Sequence, residues 1–237
     1  MGEDCSVSEG LPMAGSDYLW DVIESAPFAE NAYVLRRRGG AEAIVVDPSF
    51  EVDPVFELLD REGLAPAAVL NTHGHADHIA GNAAMKEIFP KSPLIIGRND
   101  AALLSDPEAN LSAPFGMPLT SPPADRTVEH GERFELAGFS FEVREIPGHS
   151  PGSVVFVSRD SEPPFVLGGD VLFAGSVGRT DLAYGDGPLL LAGIRARLFD
   201  LPDETIVFPG HGPTTTVGRE RRGNPFVGEN PGTYRLD

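Results

Sequence analysis

The run Asn71-Thr72-His73-Gly74-His75-Ala76-Asp77-His78 constrains this chain more than any other stretch. It puts four metal-competent side chains within six residues, directly after the apolar segment Ala67–Leu70, which reads as a short buried strand. Gly74 and Ala76 are small enough for a tight loop to turn the four toward one centre. Alternate residues of such a loop face different ways, so two histidines can serve one ion while Asp77 and His78 serve a second. The carboxyl end of a strand is also where α/β proteins place their chemistry.

Three more candidates occupy the same kind of position: His149 in Pro147-Gly148-His149-Ser150, Asp170 in Gly168-Gly169-Asp170, and His211 in Pro209-Gly210-His211-Gly212. Any one histidine in a turn is ordinarily a solvated side chain, but five in Gly- or Pro-flanked turns after apolar strands form a pattern. The sixth, His130, has no such strand before it and reads as a surface turn residue. Asp170 is either a turn cap or, with two glycines before it, a carboxylate able to approach a buried cation.

Composition narrows the chemistry further. The lone Cys5 excludes a disulfide framework and a cysteine-rich zinc finger, so a metal must be held by His and carboxylates. With 18 basic against 36 acidic residues the net charge is −18, which repels polyanions, so no nucleic-acid partner is expected and a nuclease is disfavoured. No apolar run reaches the length of a membrane span, so no membrane partner is expected. Met1–Ser16 lacks the basic and apolar regions of a secretory signal, which predicts a cytoplasmic protein.

The 237 residues suit a flexible N-terminal segment, 1–16, followed by a single domain over 17–237. Strands are predicted at Tyr18–Glu24, Ala32–Arg37, Ala41–Val46, Ala67–Leu70, Pro93–Ile96, Arg133–Leu136, Phe139–Glu145, Ser153–Val157, Phe165–Leu167 and Thr205–Phe208. Helices are predicted at Asp53–Glu62, Gly81–Phe89, Leu189–Phe199 and Thr214–Arg222, before a frayed tail. Asp106–Thr127, with five prolines and no periodicity, reads as a long loop suited to covering a site.

His-x-His-x-Asp-His, followed in order by a Gly-His loop, a Gly-Asp strand end and a second Gly-His loop, resembles the metallo-β-lactamase superfamily over roughly residues 18–226. The resemblance implies an α/β fold, an αββα four-layer sandwich with metal at one edge. It implies two divalent metal ions, zinc first, with iron or manganese as alternatives that such donors accept. His73, His75 and His149 would hold one ion, Asp77, His78 and His211 the other, and Asp170 would bridge them. Asp47, in Val45-Val46-Asp47-Pro48, is either a residue that steadies the metal loop or a plain turn Asp.

The segments Gly169–Asp181 and Pro209–Thr216, and Glu220–Phe226 near the C-terminus, look like the short glyoxalase II-type hydroxyacylglutathione hydrolases. That likeness implies a small-molecule thioester substrate of the S-lactoylglutathione type, cleaved by a hydroxide shared between the ions. The longer glyoxalase II enzymes add a helical domain for glutathione that this length leaves no room for. Asp77 is the catalytic candidate for orienting the hydroxide or taking a proton. Arg179 is either the partner of an anionic substrate end or a solvated loop residue. Alternatives of the same fold are an iron-dependent persulfide dioxygenase, which resembles this chain at Gly-Arg-Thr-Asp, and a lactonase. Gly148-His149-Ser150-Pro151-Gly152 also spells a serine-hydrolase elbow, but Pro151 has no N–H for an oxyanion and a strand, not a helix, follows.

Overall fold

Strands covered on both faces carry apolar residues at consecutive positions. Ala43-Ile44-Val45-Val46 and Val154-Val155-Phe156-Val157 are buried throughout and send alternate side chains to two different cores. The computed structural model describes residues 7–9 and 16–232. Its first sheet runs in chain order: β1 (Val7–Glu9), β2 (Tyr18–Ser25), β3 (Glu30–Arg37), β4 (Glu42–Val46), β5 (Ala65–Asn71), β6 (Leu94–Gly97) and β7 (Arg126–Val128). The pairs up to β3–β4 are antiparallel, and those from β4 to β7 are parallel. Helices α1 (Asp53–Glu62), α2 (Ala76–Ile79) and α3 (Asn82–Ile88) lie in its crossovers.

The second half supplies β8 (Arg133–Leu136), β9 (Phe139–Glu145), β10 (Val154–Ser158) and β11 (Phe165–Gly169). A small ribbon, β12 (Leu172–Phe173) with β13 (Ser176–Val177), precedes α4 (Gly187–Arg197). Then come β14 (Ile206–Pro209), β15 (Thr215–Thr216) and α5 (Val217–Gly223). The second sheet is ordered β15-β14-β11-β10-β9-β8. Its β11–β14 pair is parallel, which sets the loops after both strands side by side.

Three apolar layers hold these elements. Tyr18, Tyr33, Leu35, Ile44 and Leu70 of the first sheet meet Phe139, Phe141, Phe156, Phe165 and Phe208 of the second. Leu58, Leu59 and Met85 cover the first sheet's outer face, and Leu190, Ile194 and Val217 that of the second. The expected αββα sandwich is thus present. Its site edge is laced shut: Asn31 N–H donates to Gly210 O at 2.7 Å, and Tyr33 O–H donates to Pro209 O at 2.8 Å.

Helix α1 has the predicted boundaries because Pro54 stands in its first turn and Gly63, at φ 63°, ends it in the left-handed region. Other boundaries shift. Val7–Glu9, inside the segment expected to be flexible, pairs with Asp21–Ile23, while 1–6, 10–15 and the tail 233–237 lie outside the described residues. The long loop ends early because Arg126–Val128 joins β6, and a 3₁₀ turn, Arg98–Ser105, precedes it. Thr215 and Thr216, predicted helical, extend the sheet beside Val207 and Ile206, as β-branched residues favour, and Thr216 then caps α5. No helix among the described residues is long and apolar enough to cross a membrane.

Phe165, fully buried, packs its ring against Tyr18, Phe139, Phe141 and Phe208. Phe165→Ala is expected to cost about 3–5 kcal/mol, read as a lower urea midpoint at unchanged slope. Ile88→Ala, at a site 53% exposed, should change the unfolding free energy by less than about 0.5 kcal/mol.

Candidate metal centre

The metal loop is set by a carboxylate on the neighbouring strand. Asp47, at the end of β4 with φ 48°, accepts from Thr72 N–H at 2.8 Å, from Thr72 O–H at 2.6 Å and from His78 Nδ1 at 3.0 Å. A non-glycine residue with that φ is strained, and three hydrogen bonds over-determine it. Asn71 Nδ2 donates to His78 O at 2.9 Å, closing the loop from inside. Of the two roles left open for Asp47, the steadying one describes its contacts.

The predicted residues converge. His73 Nε2, His75 Nδ1 and His149 Nε2 form a triangle with sides of 3.1, 3.0 and 3.2 Å. Beside it, Asp77 Oδ2 lies 3.8 Å from His78 Nε2 and 3.4 Å from His211 Nε2. Asp170 stands between the groups: Oδ1 is 3.5 Å from His78 Nε2, and Oδ2 is 3.4 Å from His149 Nε2 and 3.5 Å from His211 Nε2. All but Asp77 and His211 are buried. His130 is an exposed turn residue elsewhere, as expected.

Whether these atoms suit a cation follows from their protons. His78 Nδ1 faces Asp47, His149 Nδ1 donates to Arg179 O at 2.8 Å, and His211 Nδ1 faces the carbonyls of Phe28 and Ala29 at 3.1 Å. With the proton on Nδ1, each ring in the form that binds a metal would turn its Nε2 lone pair inward, against another ring nitrogen or a carboxylate. His78 Nε2 and Asp170 Oδ1 are buried without a hydrogen-bond partner. A divalent ion satisfies such a donor set, and the close backbone allows it: a Cβ on Gly210 would collide with Asp170 Oδ1 and stand 2.6 Å from His78 Cε1.

Charge divides the cluster into two halves. Burial and neighbouring imidazoles push His73 well below its ordinary range, and His75 down to about 3. Burial also pulls His78 down, but Asp77, Asp170 and Asp47 outweigh it and hold that ring well above. His211 is raised by Asp77 and Asp170 against the same burial penalty. Asp77 and Asp170 lie below the carboxylate range, because the histidines overcome desolvation.

Two acidic residues that sequence reasoning missed support the centre. Asp100 Oδ2 accepts from Gly74 N–H at 3.0 Å and Ser150 O–H at 2.7 Å, and Oδ1 from Gly152 N–H at 2.6 Å. It therefore clamps the loop of His73 and His75 to the loop of His149, and it holds the buried Ser150 hydroxyl. Glu30, fully buried, lies 3.5 Å from His78 Nδ1 with both oxygens unpartnered, and burial holds its carboxyl well above the usual range. No local spacing marks Asp100, whose partners are 26 and 50 residues away.

A cleft of about 290 Å³ opens onto the cluster, lined by His75, Asp77, His149, Asp170 and His211 and by Phe28, Leu111, Phe115, Phe173, Val177 and Leu182. Part of the expected covering loop forms one wall: Asn110 O accepts from Ala76 N–H at 2.9 Å, and Leu111 and Phe115 face the cleft. Arg179 also lines it, but its guanidinium is held by both oxygens of Asp181, at 2.7 Å each.

A metal-binding sandwich with its donors at the strand ends is the class this geometry defines. A profile of the metallo-beta-lactamase superfamily matches residues 26–211, and the chain belongs to that superfamily, whose fold binds divalent metals. It is 36% identical over 188 residues to the hydroxyacylglutathione hydrolase GloC of Haemophilus influenzae, covering 78% of this chain and 87% of that protein. Its fold matches the crystal structure of BLEG-1, a B3 metallo-beta-lactamase, with TM-score 0.83 and 40% identity over 88% of this chain and 99% of the other. TTHA1623 in a di-iron-bound form matches with TM-score 0.76 and 38% identity over 87% and 99% of the two chains.

The split in charge has two measurable consequences. In metal-free protein, the unfolded chain takes up protons at His73 and His75 below about pH 6.5 while the folded chain does not. Their contribution to stability is therefore present above that value and is lost as pH falls toward about 3, the value to which His75 is lowered. His78 and His211 act in the opposite sense, stabilising below about pH 6.5 and less as pH rises through their raised values. Zinc titrated into the metal-free protein at pH 7 should displace those protons, seen calorimetrically as buffer-dependent heat. Asp47→Ala should weaken metal affinity by about 10–100-fold in a chelator competition.

Proposed function

We propose that this chain is a dinuclear metal-dependent hydrolase of small hydroxyacyl thioesters, similar to glyoxalase II. The observation that carries the reading is Asp170, whose two oxygens are shared between a triangle of histidines and the Asp77, His78 and His211 group beside an open cleft. His73, His75 and His149 would hold one ion, Asp77, His78 and His211 the second, with Asp170 between. Such ions polarise a carbonyl and lower the pKa of a bound water to about 7.

The rest is done by the chain. Asp77, part-exposed in the cleft wall and held ionised by His78 and His211, accepts a hydrogen bond from the attacking water and can take its proton. Addition of the water oxygen forms the C–O bond and moves the carbonyl π pair onto oxygen; as that pair re-forms the carbonyl, the C–S bond breaks and sulfur leaves with its electron pair. A thiolate, with a conjugate pKa of about 8.5, departs at neutral pH without a dedicated acid. The neutral state of His73 and His75 keeps their donor atoms free for metal as the pH falls.

Two other chemistries stand against this one. The 40% identity to BLEG-1, a B3 metallo-beta-lactamase, favours testing a β-lactam beside the thioester. A persulfide dioxygenase would use one iron, whereas His73, His75 and His149 here form one set of donors and Asp77, His78 and His211 another beside it. A −18 chain with an acidic site is also proposed to act on small molecules rather than nucleic acid.

Metal analysis of the purified protein, beside assays of S-lactoylglutathione, a β-lactam, a lactone and glutathione persulfide, tests the reading. Two ions per chain and thioester hydrolysis abolished by chelation are expected. Asp77→Ala should lower kcat by about 10²–10⁴-fold. One iron with oxygen uptake, or β-lactam turnover without thioester turnover, would replace it.

A further inference from the structure

The cleft's wall is apolar on the side away from the donor cluster. Phe28, on the turn between β2 and β3, meets Phe115 of the covering loop at a ring distance of 5.6 Å, edge to face. Phe28 is backed in turn by Phe50 at 6.0 Å. Phe115 stays 52% exposed beside the cleft, with one aromatic ring against it. Leu111 continues this wall, and Phe173 carries it to the donors, its ring edge-on to His211 at 6.2 Å. An apolar face left open beside a reactive centre binds apolar matter.

The charge at the mouth points the same way. Among the described residues lining the cleft, Arg179 is the single Lys or Arg, and its Nε and Nη2 donate to the two oxygens of Asp181. A substrate carboxylate reaching that guanidinium would find its charge already paired and the Asp181 carboxylate beside its own. The chain's net charge of −18 adds a repulsive field to any anionic substrate. Glutathione brings two carboxylates against one ammonium, and among the described lining residues the single Lys or Arg already carries a carboxylate.

We propose that the cleft selects thioesters whose thiol portion is apolar and uncharged, with Phe28, Leu111 and Phe115 as the specificity-determining residues and the Arg179–Asp181 pair excluding anionic thiols. The proposal rests on the thioester-hydrolase reading above and names its substrate class.

Two esters of one acyl group isolate the thiol: S-lactoylglutathione and the lactoyl thioester of benzyl mercaptan. The benzyl ester is expected to show the higher kcat/KM, by about tenfold or more, the scale of a well-filled apolar pocket. Phe115→Ala should cut that ratio about fivefold, mainly through KM of the benzyl ester. Asp181→Asn, which frees Arg179, should raise kcat/KM for S-lactoylglutathione about three- to tenfold. Added salt should raise kcat/KM for the glutathione ester and leave the benzyl ester unchanged, because only the anion is repelled. Equal or preferred use of S-lactoylglutathione, or a ratio indifferent to Phe115→Ala, overturns the inference and leaves thioester hydrolysis standing. If neither ester is cleaved while a β-lactam or lactone is, both fall together.

Discussion

Five imidazoles and two carboxylates converge with neighbouring donor atoms 3.0–3.8 Å apart, and that convergence governs the rest of the molecule. In a buried setting it is unfavourable unless positive charge sits among them. Protons on His78 and His211 offset part of the cost in the carboxylate half, while burial denies protons to His73 and His75. Metal ions neutralise the acidic half and satisfy the neutral one at once. The fold's task is to hold together, by rigid means, groups that would otherwise turn away from each other.

The sandwich does this by bringing strand ends together. Parallel neighbours β4 and β5 deliver Asp47 and the His73–His78 loop side by side, and the parallel pair β11 and β14 delivers Asp170 and His211. Asn31 and Tyr33 stitch the two sheets at that edge, and Asp100 ties the first histidine loop to the loop of His149. The donors are thus placed by backbone ladders and buried hydrogen bonds rather than by long side chains. The wide aromatic core between the sheets keeps those ladders in register.

Much of this was legible before any coordinates, for a physical reason. Metal donors come from a few residue types and must follow strand ends, so the His73–His78 run and the turns at His149, Asp170 and His211 stood out locally. Doubly covered strands read as continuous apolar runs, which made most of both sheets visible. Asp100 and Glu30 were hidden because their partners are distant in the chain and nothing nearby distinguishes them from solvated acids. Strands β1 and β7 were hidden because three-residue pairings depend on the neighbour more than on their own composition. Arg179 was seen as a cation, but its engagement by Asp181 is a tertiary fact of one turn, and it changes what the cleft can receive.

The central claim is that these seven side chains form two adjoining cation sites. Crystals of the metal-loaded protein, measured across the absorption edge of the bound metal, would test it most directly by anomalous scattering. Two peaks are expected, about 3.5–4 Å apart, one among His73, His75 and His149, the other among Asp77, His78 and His211, with Asp170 reaching both. A single peak, or a second one seated at Glu30 and Asp47 instead, would contradict the account.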